Sequence, residues 1–393
     1  MKSRLDAAIA GLGTAGLTRT DTRSAAEMAR VAVIAAATDA AIETASIDGL
    51  VLCRSGGAGD AVLGLDLQRA LGLRDLKLNR ITLCEGASAL AAIQTAALAV
   101  STGMANCVAC VFADAPVTPG TQMRAAFGRQ KTSTGMEGLR YTAGLFGGAA
   151  VNALSARRYL AIHDLDERVL ADVAITSRTW ATRNPEASYR KPLTYEDYFA
   201  ARYIAEPFRL FDCAAPVNGA VAVIVTTRAR AADGAQPAVP ILAYAEGHPG
   251  TPDRHGFDRA LTHGGVIAAR TIFGQTGLSS ADIDICELYD AFTIMPLRAL
   301  EAYGFYPAGE AIRAYANGAA GPGGDGMPIN TGGGHLSGYY LQGMTPVAEA
   351  VVQARGAAGE RQCAKADTIL VTNEGGRLDY HAGMILGSAA QWQ

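Results

Sequence analysis

The chain has 393 residues, with 34 Lys+Arg against 37 Asp+Glu for a net charge of −3, and it carries 45 glycines beside only 15 prolines. Hydrophobic residues make up 49% and charged residues 18%, so a sizeable core can form and a disordered chain is excluded. The balanced charge leaves no basic footprint for nucleic acid or an anionic membrane, and at about 150 residues per domain the length suits two or three domains or one large duplicated fold.

The first predicted element is AAIAGLG, a short apolar strand ending in glycine. Residues 24–44 follow as an amphipathic helix, and IDGLVLC as a strand. LNRITLC is a strand that runs through EGAS into an Ala-rich helix over 89–101; Gly103 stops that helix and NCVACVFAD returns as a buried strand. This rhythm predicts a largely parallel sheet covered by helices. After the linker at 229–240 it recurs: PILAYAEG is a strand, ALTHGGVIAARTIFGQTG a glycine-stopped helix, and SSADIDICELYDAF carries a strand. LSGYYLQGMTPVAEAVVQARG bears a helix and ADTILVTNEGG a last strand. The recurrence predicts an internal duplication: an N-terminal half over 1–230, interrupted by an inserted loop domain at about 115–210, and a C-terminal half over 231–393. The Gly, Arg, Tyr and Pro content of the insertion suits a cover over a site.

The seven cysteines, Cys53, Cys84, Cys107, Cys110, Cys213, Cys286 and Cys363, are odd in number and scattered, which fits a reducing cytoplasm better than a disulfide framework. Cys107 and Cys110 form a C-x-x-C inside an apolar strand, with no second pair at usable spacing for zinc. The N-terminus lacks the pattern of a signal peptide, and no apolar stretch is long enough to span a membrane. In each half a glycine-bearing turn is expected between strand and helix: CEGAS at 84–88 and NTGGGHLSG at 330–338. Helix N-termini present unsatisfied N–H groups, which suits them to a developing oxyanion.

From AIAGLG to GMILG the chain resembles the thiolase superfamily, in its sterol-carrier-protein and lipid-transfer-protein branch. ELYDAF (287–292) is similar to that branch's E-L-H-D-C-F block, and INTGGGHLSGYYLQGMTPVAEAVVQARG to its N-T-x-G-G-L-L-S-x-G-H-P-x-G segment. RNPEASYRKPLT, IAEPFRLFDCAAPVNGAVAVIV and EAYGFYPAGE match its linking segments. The resemblance implies an α/β thiolase fold: duplicated βαβαβ halves in a five-layered α-β-α-β-α arrangement with an inserted loop domain. It also implies a homodimer, and a small OB-fold/zinc-ribbon partner protein that helps bind coenzyme A.

The departures from the family are informative. Thiolases carry a nucleophilic cysteine in C-x-S-G; here Ser88 fits the serine, so Gly86 stands at the nucleophile position and Cys84 lies two residues early, inside the strand and away from the helix N-terminus. Tyr289 occupies the place of the family histidine in ELYDAF, and Tyr340 that of the histidine in G-H-P-x-G. Asn373-Glu374-Gly375-Gly376 lacks the second thiolase cysteine. Claisen-type acyl transfer needs that chemistry. Retro-aldol cleavage of a 3-hydroxyacyl-CoA to a carbonyl compound and a shorter acyl-CoA does not: it needs proton transfer at the β-hydroxyl and N–H donors for the thioester enolate.

By resemblance to the branch's steroid side-chain aldolases, Tyr289 and Tyr340 are the expected acid/base pair, with direction unassigned, and the side chain is expected to be large, a steroid or an aromatic acid. Gly86, Ser88, His335 and Gly375 are candidates for oxyanion stabilisation or positioning. No covalently bound cofactor is expected, coenzyme A entering as part of the substrate. One alternative is a CoA acyltransferase using Cys84; another is a non-catalytic acyl-CoA- or lipid-binding subunit.

Other candidates carry less. His163, His248, His255 and His263 show no metal-ligand spacing, so no metal site is expected; His381 is read as structural. Strand alternation puts Glu287 on the face of Tyr289 and turns Asp290 away. Residues 11–16, GLGTAG, superficially match a dinucleotide loop but lack its acidic partner. Arg124, Arg129 and Lys131 suit a solvated loop face better than coenzyme A phosphates.

Overall fold

The computed structural model describes residues 5–53, 64–118, 135–214, 216–250, 258, 261–375 and 380–391. Arg124, Arg129, Lys131, His255 and Gly376 lie outside the described residues.

In the N-terminal half, β1 (Ala8–Thr18), β2 (Gly49–Cys53), β3 (Leu78–Thr82), β4 (Cys107–Asp114) and β7 (Asn218–Thr226) alternate with α1 (Ala25–Asp39), α2 (Gly64–Ala70) and α3 (Ser88–Ser101). Helix α1 starts where Ser24 and Glu27 form a reciprocal capping box. The insertion holds α4 (Gly135–Thr142), α5 (Gly147–Ile162), α6 (Arg168–Thr182), α7 (Tyr195–Ala200) and the small hairpin β5 (Tyr203–Ala205) and β6 (Phe208–Arg209). After α8 (Arg228–Ala232) the C-terminal half runs through β8 (Val239–Gly247), α9 (Gly265–Thr276), β9 (Ile285–Glu287), α10 (Ile294–Ala302), α11 (Met344–Ala354), β10 (Thr368–Gly375) and β11 (Tyr380–Gly387).

The large sheet has the order β3-β2-β4-β7-β1-β8-β11-β10-β9. Read inward to the junction, the run β2-β4-β7-β1 is repeated by β9-β10-β11-β8: in each, a parallel pair is followed by two antiparallel steps. The sheet is therefore mixed, not largely parallel. Parallel pairing is confined to β3-β2-β4 and β9-β10, because each half closes with a returning strand, β7 or β11, that lay outside the expected elements.

The two runs meet only where Ala8 and Ile9 pair with Pro240 and Val239, so they can fold against each other with α3 and α11 between them. A core built from both halves fills that middle space, including Val51, Phe112 and Val221 from one side, Ile369, Val371 and Met384 from the other, and Leu90, Ile93 and Val347 from the helices. A second core lies under α1 on the outer N-terminal face and a third under α9, α10 and the insertion. Helix, sheet, helix, sheet, helix gives the five layers.

The glycines at 11 and 13 serve packing, not a nucleotide. A Cβ at either would overlap the main chain of α1 at Ala36 or Ala32, so only glycine lets β1 approach the helix this closely. Cys107 and Cys110 are buried thiols of β4, and all seven cysteines are unpaired.

Candidate active site

The middle layer brings two helix starts together. Ahead of α3, Glu85 is left-handed at φ 47° and Gly86 follows; ahead of α11, Gln342 is left-handed at φ 47° and Gly343 follows. Such backbone in non-glycine residues is strained and tends to persist at functional sites. The second strand-to-helix turn is thus Gln342-Gly343, not 330–338 as expected. NTGGGHLSG forms instead a separate coil closed by a wide turn over Gly334–Gly338, with extended chain between it and α11. The two true turns abut: a Cβ at Gly343 would stand 2.6 Å from the Gly86 carbonyl. Asn373, fully buried at the end of β10, bridges them by accepting from Leu90 N at 3.2 Å and donating to the Gly343 carbonyl at 3.3 Å. Nothing in its sequence setting signalled this.

At Gly86 there is no room for a side chain. A Cβ there would overlap the carbonyl oxygen of Glu374 and the hydroxyl of Tyr289. Gly375 covers the same turn from β10, where a Cβ would meet the Cys84 carbonyl and come within 2.8 Å of Gly86 N. Ser88 is buried, and its hydroxyl accepts from Cys84 N at 2.8 Å, so it braces the turn.

Cys84 does not lie inside the strand, as the spacing suggested. Strand β3 ends at Thr82, whose hydroxyl bonds both Leu52 O and Ser88 O and turns the chain into a short 3-10 segment that Cys84 precedes. The thiol is half-buried, and burial together with Glu246 pushes its pKa up, the opposite of what an attacking thiol needs.

Tyr289 and Tyr340 meet directly, hydroxyl to hydroxyl, at 3.0 Å. Tyr289 is the deeper. Burial, the neighbouring Tyr340, and the carboxylates of Glu374 and Glu85 all drive its pKa well up. Burial also raises Tyr340, to about 12, but the hydrogen bond from Tyr289 works in the other direction. Either hydroxyl can donate in this pair, and the stronger upward push on Tyr289 leaves Tyr340 the more readily ionised member.

His335 spaces the two rings, its centroid 4.6 Å from that of Tyr289 and 5.2 Å from that of Tyr340. Its Nε2 donates to the Gln342 carbonyl at 2.6 Å, and Nδ1 faces Asp290, whose N–H reaches it at 3.1 Å and whose carboxylate oxygen lies 2.8 Å away. Asp290 Oδ1 also accepts from His335 N at 2.7 Å. Both ring nitrogens are engaged, so His335 holds the left-handed Gln342 turn and the tyrosines in place.

Asp290, expected to point away, is the carboxylate that serves the site. Glu287 turns instead to Thr331, whose N and Oγ1 donate to it at 3.1 and 2.7 Å, beside Glu349. Strand β9 stops at Glu287, so strand alternation no longer governs the residues that follow. The insertion docks on this coil: Arg178 donates to the Ser337 hydroxyl at 2.9 Å, Asn184 to the Gly332 carbonyl at 2.9 Å, and Tyr189 N to the Ser337 carbonyl at 3.0 Å.

Residues 255–388 match the family described as Thiolase C-terminal domain-like. The chain is 36% identical over 361 residues to the 17-hydroxy-3-oxo-4-pregnene-20-carboxyl-CoA lyase of Mycobacterium tuberculosis, covering 89% of this chain and 92% of that protein. It is 33% identical over 394 residues to a steroid side-chain-cleaving aldolase of Thermomonospora curvata, covering 97% and 98%. Among solved structures, the Ltp2-ChsH2(DUF35) aldolase superposes with a TM-score of 0.86 at 31% identity over 98% of both chains. An Ascaris suum thiolase in complex with coenzyme A gives a TM-score of 0.69 at 15% identity, a likeness of fold alone. With a thiolase fold, a nucleophile position that admits no side chain and relatives of this identity over nearly its whole length, the chain belongs to the thiolase superfamily, in the branch of thiolase-like steroid side-chain aldolases.

Proposed function

We propose that the protein cleaves a 3-hydroxyacyl-CoA by retro-aldol chemistry, with Tyr340 as general base and Tyr289 as the donor that supports it. The observation that carries this reading is the Tyr289–Tyr340 hydrogen bond lying over Gly86, where no nucleophile fits. Tyr340 takes the proton of the β-hydroxyl, and the C–O bond becomes a carbonyl. The Cα–Cβ bond breaks, its electron pair moves onto Cα as the thioester enolate, and return of the proton from Tyr340 to Cα yields the shorter acyl-CoA and restores the base. No acyl group is carried on the protein, so Cys84→Ala retains turnover within about twofold of the wild type, as expected of a residue outside the chemistry; abolished turnover and an acylated Cys84 in the wild type would favour the acyltransferase alternative.

The names of the relatives make a CoA thioester with a steroid side chain the favoured substrate, ahead of an aromatic acid. We assign a DUF35-type partner on the strength of the superposing complex, and a homodimer formed through β3. That strand is an edge of the large sheet and exposes Ile81 at 46% of its surface, with Leu83 just past its end exposed at 57%, the kind of edge that pairs with another chain unless it is guarded. Ile81→Lys then elutes from size-exclusion chromatography as a monomer, whereas an unchanged dimer would place the interface elsewhere. Among the described residues no helix is long and apolar enough to cross a membrane, and the unpaired cysteines suit a cytoplasmic setting.

A further inference from the structure

Alternation along β10 turns Asn373 toward the middle layer and Glu374 toward the outer one, where Glu374 enters a buried polar cluster behind the tyrosine pair. His263 Nε2 lies 2.9 Å from Glu374 Oε1, His381 Nδ1 3.9 Å from the same oxygen, and His381 Nε2 3.0 Å from the Tyr303 hydroxyl. Glu374 Oε2 and His381 Nδ1 have no hydrogen-bond partner among the described residues. Burial, with His263 adding to it, holds His381 well below the ordinary histidine range, and Arg298 on α10 is coupled to Glu374 electrostatically. Donor atoms of His263, Glu374 and His381 fall within 4.8 Å of one another, a grouping that could suggest a cation. His263 rules against that use: its Nδ1 accepts Gly265 N–H at 2.9 Å at the start of α9, so the ring proton sits on Nε2 and points at Glu374, where a metal would need a lone pair.

What the cluster does reach is the floor of the site, because the carbonyl of Glu374 is one of the atoms that close the Gly86 position beside the Tyr289 hydroxyl. We propose that the His263–Glu374 pair is a positioning anchor: by tying the end of β10 to the start of α9, it holds the Glu374 carbonyl against Gly86 and sets the depth at which Tyr289 meets Tyr340. The kinetic side of this rests on the retro-aldol reading; the geometric side does not. A buried polar pair of this kind is costly to maintain unless it does something for the fold or the site.

Glu374→Ala and His263→Ala each lower kcat by about 30-fold with KM within about twofold, and the double variant is no worse than either, as for two ends of one interaction. Glu374→Gln, whose amide oxygen still accepts from His263 Nε2, recovers most of the loss. Wild-type kcat in either alanine variant, or losses that multiply in the double, overturns the anchor. The crystal structure of His263→Ala supplies a readout free of turnover: hydroxyls moved out of hydrogen-bond range support the anchor, and a retained pair with the Glu374 carbonyl still against Gly86 overturns it. A wild-type protein that cleaves no 3-hydroxyacyl-CoA would count against the proposed function instead, and the crystallographic test of the anchor would still decide.

Discussion

Tyr340→Phe lowers kcat for 3-hydroxyacyl-CoA cleavage by about 10³-fold, the scale of a lost general base, while KM changes little. The change removes one oxygen and leaves the ring beside His335, so packing survives and the effect isolates the proton transfer. In the wild type, kcat/KM rises with pH: only the deprotonated phenol accepts a proton, and Tyr340 is pushed up to about 12, so below that value each unit by which pH rises brings about tenfold more of the active form. The Phe variant loses this slope. Tyr289→Phe keeps the slope but titrates higher, because Tyr340 loses the hydrogen bond that favours its ionised form. Equal and pH-independent losses in both variants would mean that the two rings only pack.

Gly86→Cys, which restores the residue a thiolase carries there, yields no thiolase. The new Cβ would have to occupy the space of the Glu374 carbonyl and the Tyr289 hydroxyl, and displacing main chain costs more than moving a flexible side chain. A stability loss of about 3 kcal/mol is expected, at the upper end for overpacking, together with loss of aldol turnover as Tyr289 is forced aside. Gly86→Ala gives the same result without a thiol. Chemical denaturation reads the first effect, carbonyl release from a 3-hydroxyacyl-CoA the second, and acyl-CoA labelling of the cysteine the absence of thiolase chemistry. A Gly86→Cys protein of wild-type stability that takes up an acyl group would contradict the geometry at its centre.

Much of this was legible in the sequence because local patterns carried it. The helix start at residue 24, the alternation of apolar runs and the glycine that stops α3 all act within a few residues, whereas Gly86, Tyr289 and Tyr340 stood out as departures from the pattern of the family the chain resembles. What the pattern could not reveal depends on distant contacts. Strands β7 and β11 are returning partners whose antiparallel pairing is decided by neighbours far along the chain. Glu374, His263 and His381 come from three separate segments, and Asn373 joins two turns to which it is not close in sequence. The turn at Gln342-Gly343 was overshadowed by the richer glycine run before it, and alternation turned Asp290 the wrong way because β9 stops at Glu287, two residues short of Tyr289.

The most direct measurement is product analysis by mass spectrometry after incubating the protein, alone and with the proposed DUF35-type protein, with steroid 3-hydroxyacyl-CoA thioesters in the presence and absence of free coenzyme A. Retro-aldol cleavage releases a carbonyl compound and a shorter acyl-CoA at the same rate in both, and the protein gains no acyl mass. Cleavage that requires free coenzyme A and passes through an acylated Cys84 would contradict it.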